Sequence, residues 1–317
     1  MQIVDDFSTP AWPSGHRSVV TIGAYDGLHV GHRTIIDRVV ASARASGRRS
    51  VLVTFDRHPA SLVRPESAPK LLTDHAQKIE LLRETGLDAV AVVRFVAAQA
   101  AESPQDFVRR VLVDGLGGAH IIVGADFHFG KARAGNVEML TALGESGSGD
   151  GRFSVEPVAL GPGRVGVTAS STEIRRLLTC GDVEAANAML GRLFELRGEV
   201  AHGDARGRTI GFPTANIEVP TTMCVPADGV YAAWYVRPGT GESFPAAVNI
   251  GRRPTFYDDA PVSLIEAHVI DRDDLDLYGE TAHVRFVARL RGERKFDGLE
   301  ALRAQLALDV TAARAAL

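Results

Sequence analysis

The chain has 317 residues, of which 45% are hydrophobic and 23% are charged, a composition typical of a folded protein with room for two domains. Its net charge of −4 gives no electrostatic reason to expect nucleic acid or an anionic membrane as a partner. Its two cysteines, Cys180 and Cys224, are far apart, so we expect no disulfide framework and a reducing, cytoplasmic location. The richest apolar stretch, residues 89–101, is interrupted by Arg94 and is too short to span a bilayer.

The first 180 residues alternate between strand-like and helix-like segments. Short, apolar runs typical of buried parallel strands occupy residues 18–23, 51–55, 89–93 and 120–124. Helical periodicity occurs at residues 33–45, 74–85 and 104–114. Because strands that alternate with helices build parallel sheets, we expect a doubly wound α/β fold here.

Two histidines stand in the first strand-to-helix turn. His29 and His32 are three positions apart in the sequence His-Val-Gly-His. Residues three apart share a helix face, so both imidazoles can point into the crevice where open α/β sheets bind ligands. Gly27 and Gly31 allow the backbone to come close to a ligand, and a helix N-terminus favours anions. The turn therefore predicts a site for nucleotide phosphates.

Zinc binding by the histidine pair is the alternative that we favour less, since no cysteine or carboxylate stands at a recognisable ligand spacing from it. The segment 23–32 resembles the signature of the HxGH nucleotidyltransferases, and in particular that of the bacterial FAD synthetases. This resemblance implies that His29 and His32 hydrogen-bond the phosphates of ATP during attack at the α-phosphorus. It also implies that Gly23 and Gly31 belong to the ATP-binding surface.

A second segment, residues 54–59, resembles the same family's Thr-Phe-x-Pro-His-Pro, and here the chain departs from the pattern. Arg57 replaces the first proline, and Tyr25, in the turn before the histidines, stands where phenylalanine is common. Both departures leave the proposed polar ligands in place. The role of His58 stays open.

A third motif, Ser-Ser-Thr-Glu-Ile-Arg at residues 170–175, precedes an apolar helix. Hydroxyl residues at such a position are common N-caps, and a simple cap is one interpretation. Arg175 lies about one helical turn further on, so its guanidinium can converge with the free N-terminal amides on one anion. The segment resembles the family's Ser-Ser-Thr-x-Ile-Arg motif without a gap. This resemblance implies a set of four residues that bind the phosphates of ATP: Ser170, Ser171, Thr172 and Arg175.

After about residue 195 the pattern changes to short strands separated by Gly, Pro and Asp clusters. The strands are predicted at residues 199–202, 229–236, 246–250, 263–270 and 282–290, and a closing helix at 299–316. This pattern is typical of an antiparallel sheet or barrel. We therefore divide the chain into a domain at residues 1–186 and a domain at residues 187–317.

The second domain begins with a glycine-rich segment, residues 203–216, that resembles the riboflavin kinase signature. The resemblance implies that its glycines bind ATP, namely Gly203, Gly207 and Gly211. If residues 212–217 are extended, Thr214 and Asn216 point to one face. Two neutral oxygens at that spacing suit Mg²⁺, which keeps several waters and shares the phosphates of ATP. Without the surrounding match, both residues would be ordinary turn residues.

Phosphorylation of an alcohol needs a base to accept its proton, and Glu266 is the candidate. Alternation along residues 263–270 places Glu266 on one face with Leu264 and His268. A solvated face would explain an isolated carboxylate equally well. Riboflavin kinases have a glutamate on this strand before an Asp-Leu-Tyr-Gly segment, here residues 276–279, and this resemblance favours the catalytic interpretation.

The resemblances run in register from residue 18 to the C-terminus. They imply a bifunctional riboflavin kinase/FMN adenylyltransferase with riboflavin, FMN and ATP as substrates and Mg²⁺ as cofactor. An HxGH-type α/β domain would adenylylate FMN, and an antiparallel β-barrel would phosphorylate riboflavin. Two alternatives remain: an enzyme with one inactive module, and a flavin-sensing regulator that binds without turnover. The oligomeric state stays open.

Overall fold

The structure is a computed structural model, and it describes residues 1–159, 169–202, 210–251, 262–272 and 274–317. The chain forms two compact units. The first comprises Met1–Pro69 and Asp74–Ala169, and the second comprises Lys70–Thr73 and Ser170–Leu317. The backbone therefore passes from one unit to the other three times, after Pro69, Thr73 and Ala169.

Six parallel strands form the sheet of the first unit. In chain order they are β1 (Gln2–Val4), β2 (Ser18–Ile22), β3 (Arg49–Phe55), β4 (Ala89–Val93), β5 (Gly118–Gly124) and β6 (Ser154–Val158). Successive residues of a strand pack into different apolar clusters, as Val19 and Val20 of β2 do, because side chains alternate between the faces of a sheet. Both faces are therefore covered, as is usual for parallel sheets.

Among the described residues, six α-helices and one π-helix accompany this sheet. They are α1 (Val30–Ser46), α2 (Ala60–Val63), α3 (His75–Arg83), α4 (Ala97–Ala101), α5 (Pro104–Phe107), which continues as a π-helix over Val108–Gly115, and α6 (Val137–Ser146). α1 buries Ile35, Ile36 and Val39 at helical spacing. The predicted doubly wound α/β fold is confirmed.

The strand order β1-β4-β3-β2-β5-β6 places the reversal of the sheet at β2. β3 and β4 lie on one side of β2, and β5 and β6 lie on the other. Ligands of open α/β sheets bind at this reversal, outside the carboxyl ends of the strands. The turn from β2 to α1, residues 23–29, lies at that position.

The second unit contains a closed antiparallel barrel. Two helices, α7 (Ser171–Cys180) and α8 (Val183–Leu190), precede six strands: β7 (Phe194–Ala201), β8 (Ala215–Pro220), β9 (Gly229–Arg237), β10 (Glu242–Ile250), β11 (Val262–Val269) and β12 (Thr281–Arg291). The strand order is β10-β11-β8-β7-β12-β9, and β9 pairs with β10 to close the barrel. The last helix, α9 (Leu299–Ala316), packs Ala313 against Ala232 and Ile270. The predicted barrel is confirmed.

The short segment Lys70–Thr73 belongs to the second unit through its backbone. The N–H of Leu71 donates to the carbonyl of Thr222 at 2.8 Å, and the Leu71 carbonyl accepts from the N–H of Cys224 at 2.7 Å. The proposed domain boundary between residues 186 and 187 falls inside α8. Over the described ranges, no helix is long and apolar enough to cross a membrane.

Candidate active sites

The imidazole of His29 caps α1. Its Nδ1 accepts a hydrogen bond from the backbone N–H of His32 at 3.3 Å. A nitrogen that accepts this bond carries no proton, so the neutral ring of His29 has its proton on Nε2 and can donate from there. The cap thus selects the tautomer of His29.

His32 packs directly on His29, with ring centroids 3.6 Å apart and planes inclined by 18°. Burial, and then the neighbouring His29, hold the pKa of His32 well below its ordinary value of 6.5, so the ring is neutral near pH 7. The Nδ1 of His32 is buried and has no hydrogen-bond partner among the described residues. Such a nitrogen is costly unless a ligand satisfies it. The structure therefore brings the two predicted histidines together in a form suited to binding a ligand.

Gly23 and Gly31 keep the surroundings of the pair tightly packed. A Cβ on Gly31 would stand 3.2 Å from Nδ1 of His29 and 3.3 Å from the carbonyl oxygen of Ala169. A Cβ on Gly23 would stand 3.0 Å from the ring of Tyr25. An added Cβ at either glycine would therefore press on a neighbouring group, and the contact of these glycines with ATP stays a prediction.

The turn before His29 holds a backbone conformation that L-residues seldom adopt. Tyr25 has a φ of 49° and Leu28 a φ of 39°, each of which costs of order 1–3 kcal/mol. The buried hydroxyl of Tyr25 shares a 2.6 Å hydrogen bond with Oγ1 of Thr21, and its ring centroid lies 4.8 Å from that of His32. A phenylalanine would lack this bond. The departure from the family pattern at Tyr25 therefore adds an anchor beside His32.

The segment after β3 makes structural contacts at the same edge of the sheet. Thr54 Oγ1 donates to the carbonyl of Ala24 at 3.1 Å. His58 Nδ1 accepts from the backbone N–H of Ala60 at 3.1 Å, at the start of α2. Arg57 lies beside Asp56, with Nε 3.6 Å from the carboxylate. A contact between His58 and substrate stays a prediction.

Sequence reasoning missed Lys78, which is only 8% exposed and whose ammonium group reaches the turn before His29. Lys78 and the fully buried Leu82 are four residues apart on α3 and therefore share a helix face. A charged residue on the buried face of a helix was the only signal in the sequence. The sequence did not show that this lysine points to the edge of the sheet where the parallel strands have their carboxyl ends.

Ser170 caps α7, since its Oγ accepts from the N–H of Glu173 at 3.2 Å. Ser171 and Thr172 form the first turn, and Nε of Arg175 donates to the carbonyl of Lys70 at 2.5 Å. This helix belongs to the second compact unit, whereas His29 and His32 belong to the first. That the two motifs bind one ATP stays a prediction.

In the barrel, Glu266 pairs across strands with Asn216 of β8 on one side and Asn249 of β10 on the other. Side chains of directly opposed residues lie on the same face, so the three polar residues form a row. Ile265 and Ala267, on either side of Glu266, are fully buried, and they alternate with it toward the barrel interior. The row therefore lies on the outer face of the barrel. The side chain of Leu264, predicted to share that face, lies outside the described residues.

Thr214 is half-buried and directly precedes β8. The chain before it is fixed by His268, whose Nδ1 lies 2.8 Å from the carbonyl oxygen of Pro213 and whose ring meets Phe212 edge-on at 5.4 Å. Because His268 is two residues from Glu266 on β11, it ties this segment to the strand that carries the candidate base. Sequence reasoning placed His268 on this face but gave it no role.

The glycine-rich segment is described only in part. Gly203 and Gly207 lie outside the described residues. Gly211 is exposed and has a φ of 85°, in the left-handed region that favours glycine. Its contact with ATP stays a prediction.

Comparison with known proteins covers both units. A FAD synthetase family model matches residues 13–168, and a riboflavin kinase family model matches residues 190–317. The bifunctional riboflavin kinase/FMN adenylyltransferase of Listeria monocytogenes is 37% identical over 309 residues, which is 97% of this chain and 95% of the relative. The chain belongs to this family. The bifunctional relative from Pseudomonas fluorescens is 38% identical over 96% of this chain and 94% of its own length.

Among solved structures, the crystal structure of a Streptococcus pneumoniae protein described as a macrolide-efflux protein has a TM-score of 0.85 to this chain. It is 28% identical in sequence, and the match covers 99% of both chains. The likeness in fold therefore extends over both halves of the molecule.

Proposed function

We propose that the two reactions of this family take place at two separate sites, one in an adenylyltransferase domain of residues 1–186 and one in a kinase domain of residues 187–317. The chain phosphorylates riboflavin to FMN with ATP, and it adenylylates FMN to FAD with release of pyrophosphate. The stacked His29–His32 pair at the carboxyl end of β2 supports the adenylylation site. The cross-strand row of Asn216, Glu266 and Asn249 supports the kinase site.

Adenylyl transfer needs charge stabilisation more than it needs a base. A phosphate oxygen of FMN forms the new bond to the α-phosphorus of ATP, and the bond from that phosphorus to the bridging oxygen breaks as pyrophosphate leaves. Because the attacking group is already an anion, positioned hydrogen-bond donors are sufficient. Nε2–H of His29 is such a donor, and His32 is held beside it. Further donors are assigned to the α7 motif: Ser170, Ser171, Thr172 and Arg175.

Phosphorylation of riboflavin needs a base, because the 5′-hydroxyl is neutral. Glu266 accepts the hydroxyl proton as the oxygen forms its bond to the γ-phosphorus of ATP and ADP leaves. Glu266 and Asn216 are direct neighbours across β8 and β11, and Thr214 stands two residues before Asn216. Their carboxylate, amide and hydroxyl oxygens are the donors that Mg²⁺ prefers, so Thr214 and Asn216 would hold the ion. Bound there with ATP, Mg²⁺ would neutralise phosphate charge.

The location and the domain limits are part of the proposal. Cys180 and Cys224 are not joined in a disulfide, which agrees with a reducing compartment, and we place the enzyme in the cytoplasm. The match to the FAD synthetase family model ends at residue 168, and the match to the riboflavin kinase family model begins at residue 190. We keep residue 186 as the limit of the adenylyltransferase domain. The substrates are riboflavin, FMN and ATP, and nucleic acid is not expected as a partner.

Two variants test the assignment of sites. The double variant His29→Ala/His32→Ala should abolish conversion of FMN to FAD and leave riboflavin phosphorylation intact. Glu266→Gln should abolish FMN production from riboflavin, yet still make FAD when FMN is supplied. Chromatography of the flavins from two incubations, one started with riboflavin and one with FMN, measures the two reactions separately. Loss of both activities in either variant, or no effect in both, would refute two separate sites. Wild-type protein that binds riboflavin but makes no product with ATP and Mg²⁺ would instead support a flavin-sensing regulator.

A further inference from the structure

A buried lysine rarely occurs without a specific set of partners. Nζ of Lys78 lies 2.9 Å from the carbonyl oxygen of Phe55, 3.3 Å from Oγ1 of Thr54 and 3.5 Å from the carbonyl oxygen of Ala24. These three acceptors match the three N–H groups of an ammonium ion. Lys78 therefore connects α3 with two other segments of the first unit.

The two segments leave adjacent strands at the same edge of the sheet. Phe55 ends β3, whereas Ala24 follows β2 and directly precedes Tyr25, the first left-handed residue of the turn. The Ala24 carbonyl also accepts from Thr54, so it takes part in two contacts. A turn with unfavourable φ values persists only where its surroundings hold it in place. Lys78 is one of the groups that do so.

The charge of Lys78 has counterparts on the same segments. Burial lowers the pKa of Lys78 below its ordinary value, and attraction to Asp26 and then Asp56 offsets part of that shift. His75, one turn earlier on α3, interacts with the charges of Lys78 and Asp56 as well, and with that of Asp74. Asp26 is only 5% exposed, so solvent screens its charge weakly. Loss of Lys78 would leave two carboxylates beside a site for polyphosphate without this cation.

We propose that Lys78 is a positioning residue for adenylyl transfer, because it ties the β2–α1 turn, and with it both histidines, to the end of β3. Its charge also balances two aspartates next to a site for an anionic nucleotide. This inference rests on the function proposed for the histidine pair and adds a residue on α3 to that site.

Four variants separate positioning from simple packing. Lys78→Met and Lys78→Gln should lower kcat/KM for FMN adenylylation about 10- to 100-fold, while riboflavin phosphorylation in the same samples is unchanged. Arg83→Met, at an exposed position of the same helix, is the matched control and should leave both reactions unchanged. Lys78→Met should also raise the KM for ATP, because the carboxylates of Asp26 and Asp56 are then left without this cation. Adding Asp26→Asn to Lys78→Met removes one of these negative charges and should bring the KM for ATP back toward the wild-type value. A lysine that only packs the core would show no such response to charge.

Amide hydrogen exchange of β2, β3 and β4 shows whether the first unit of each variant is folded. If Lys78→Gln is protected and retains wild-type kcat and KM, the inference is overturned. It is also overturned if both lysine variants lose that protection, because Lys78 is then a folding residue. The histidine variants give an independent check. If they still make FAD, the proposed site itself is wrong, whereas loss of FAD in them with active lysine variants refutes only the role of Lys78.

Discussion

The substitution Gly31→Ala should have two opposing effects: alanine favours the helix, but its Cβ would disturb the packing of the histidine pair. Gly31 lies in the first turn of α1 with no left-handed φ, so alanine should favour the helix by about 1 kcal/mol. The new Cβ would stand 3.2 Å from Nδ1 of His29 and 3.3 Å from the Ala169 oxygen, whereas ordinary contacts begin at 3.4 Å. The ring and the carbonyl must therefore each retreat by about 0.1–0.2 Å. The capping bond of His29 is already 3.3 Å long, so this retreat brings it close to breaking.

We expect Gly31→Ala to unfold no more easily than the wild type but to lose about 10- to 100-fold in kcat/KM for FMN adenylylation, which is about 1.4–2.7 kcal/mol. Flavin chromatography measures this loss, and riboflavin phosphorylation in the same sample serves as the internal reference. Thr34→Ala, at an exposed position of α1, is the control and should keep full activity. Wild-type adenylylation in Gly31→Ala would show that the close contact with His29 is not needed.

Two further predictions concern buried polar groups. Tyr25→Phe should lower the free energy of unfolding by about 1 kcal/mol, because the Thr21 hydroxyl loses its hydrogen bond to the tyrosine. Adding Thr21→Val should recover most of this loss, as measured by urea titration. If it recovers none, this reasoning is contradicted. Burial alone would raise the pKa of Glu195, but hydrogen bonds from Arg285 and then Arg197 outweigh it and lower that pKa below 4.5. A lowered pKa in the folded state stabilises the protein above the unfolded pKa, and this contribution disappears as the pH falls through the folded one. The stability advantage of the wild type over Glu195→Gln should therefore shrink below about pH 4.5, and an advantage independent of pH would refute the assignment.

Local patterns were sufficient for the four central strands of the parallel sheet, β2 to β5, whereas the edge strand β1 and the helix α6 were not predicted. The run of valine and alanine at residues 89–93 coincides with β4. A parallel strand that is buried on both faces is a continuous apolar segment, which can be recognised without knowing its neighbours. α1 begins at Val30 rather than at the predicted residue 33, since its cap is an imidazole and not one of the usual capping residues. The π-helix at Val108–Gly115 lies where an ordinary helix was predicted. The residue pattern gives no sign of that change in winding.

In the candidate sites, too, contacts between residues close in sequence could be predicted, whereas contacts between distant segments could not. The spacing of His29 and His32 was enough to predict that they share a face, because three residues at a helix start fix their relation. The pairing of Glu266 with Asn216 depends instead on the register of two strands that lie far apart in sequence. Composition and alternation do not determine such a register. The fold alone shows that the proposed base and a proposed metal ligand are direct neighbours.

The excursion of residues 70–73 has a consequence for any attempt to divide the enzyme. A single cut at residue 187 would separate the barrel from Leu71, and the carbonyl of Thr222 and the N–H of Cys224 would both lose a backbone partner. The excised kinase half would also begin in the middle of α8. An autonomous kinase would therefore need a substitute for four residues encoded more than a hundred positions upstream.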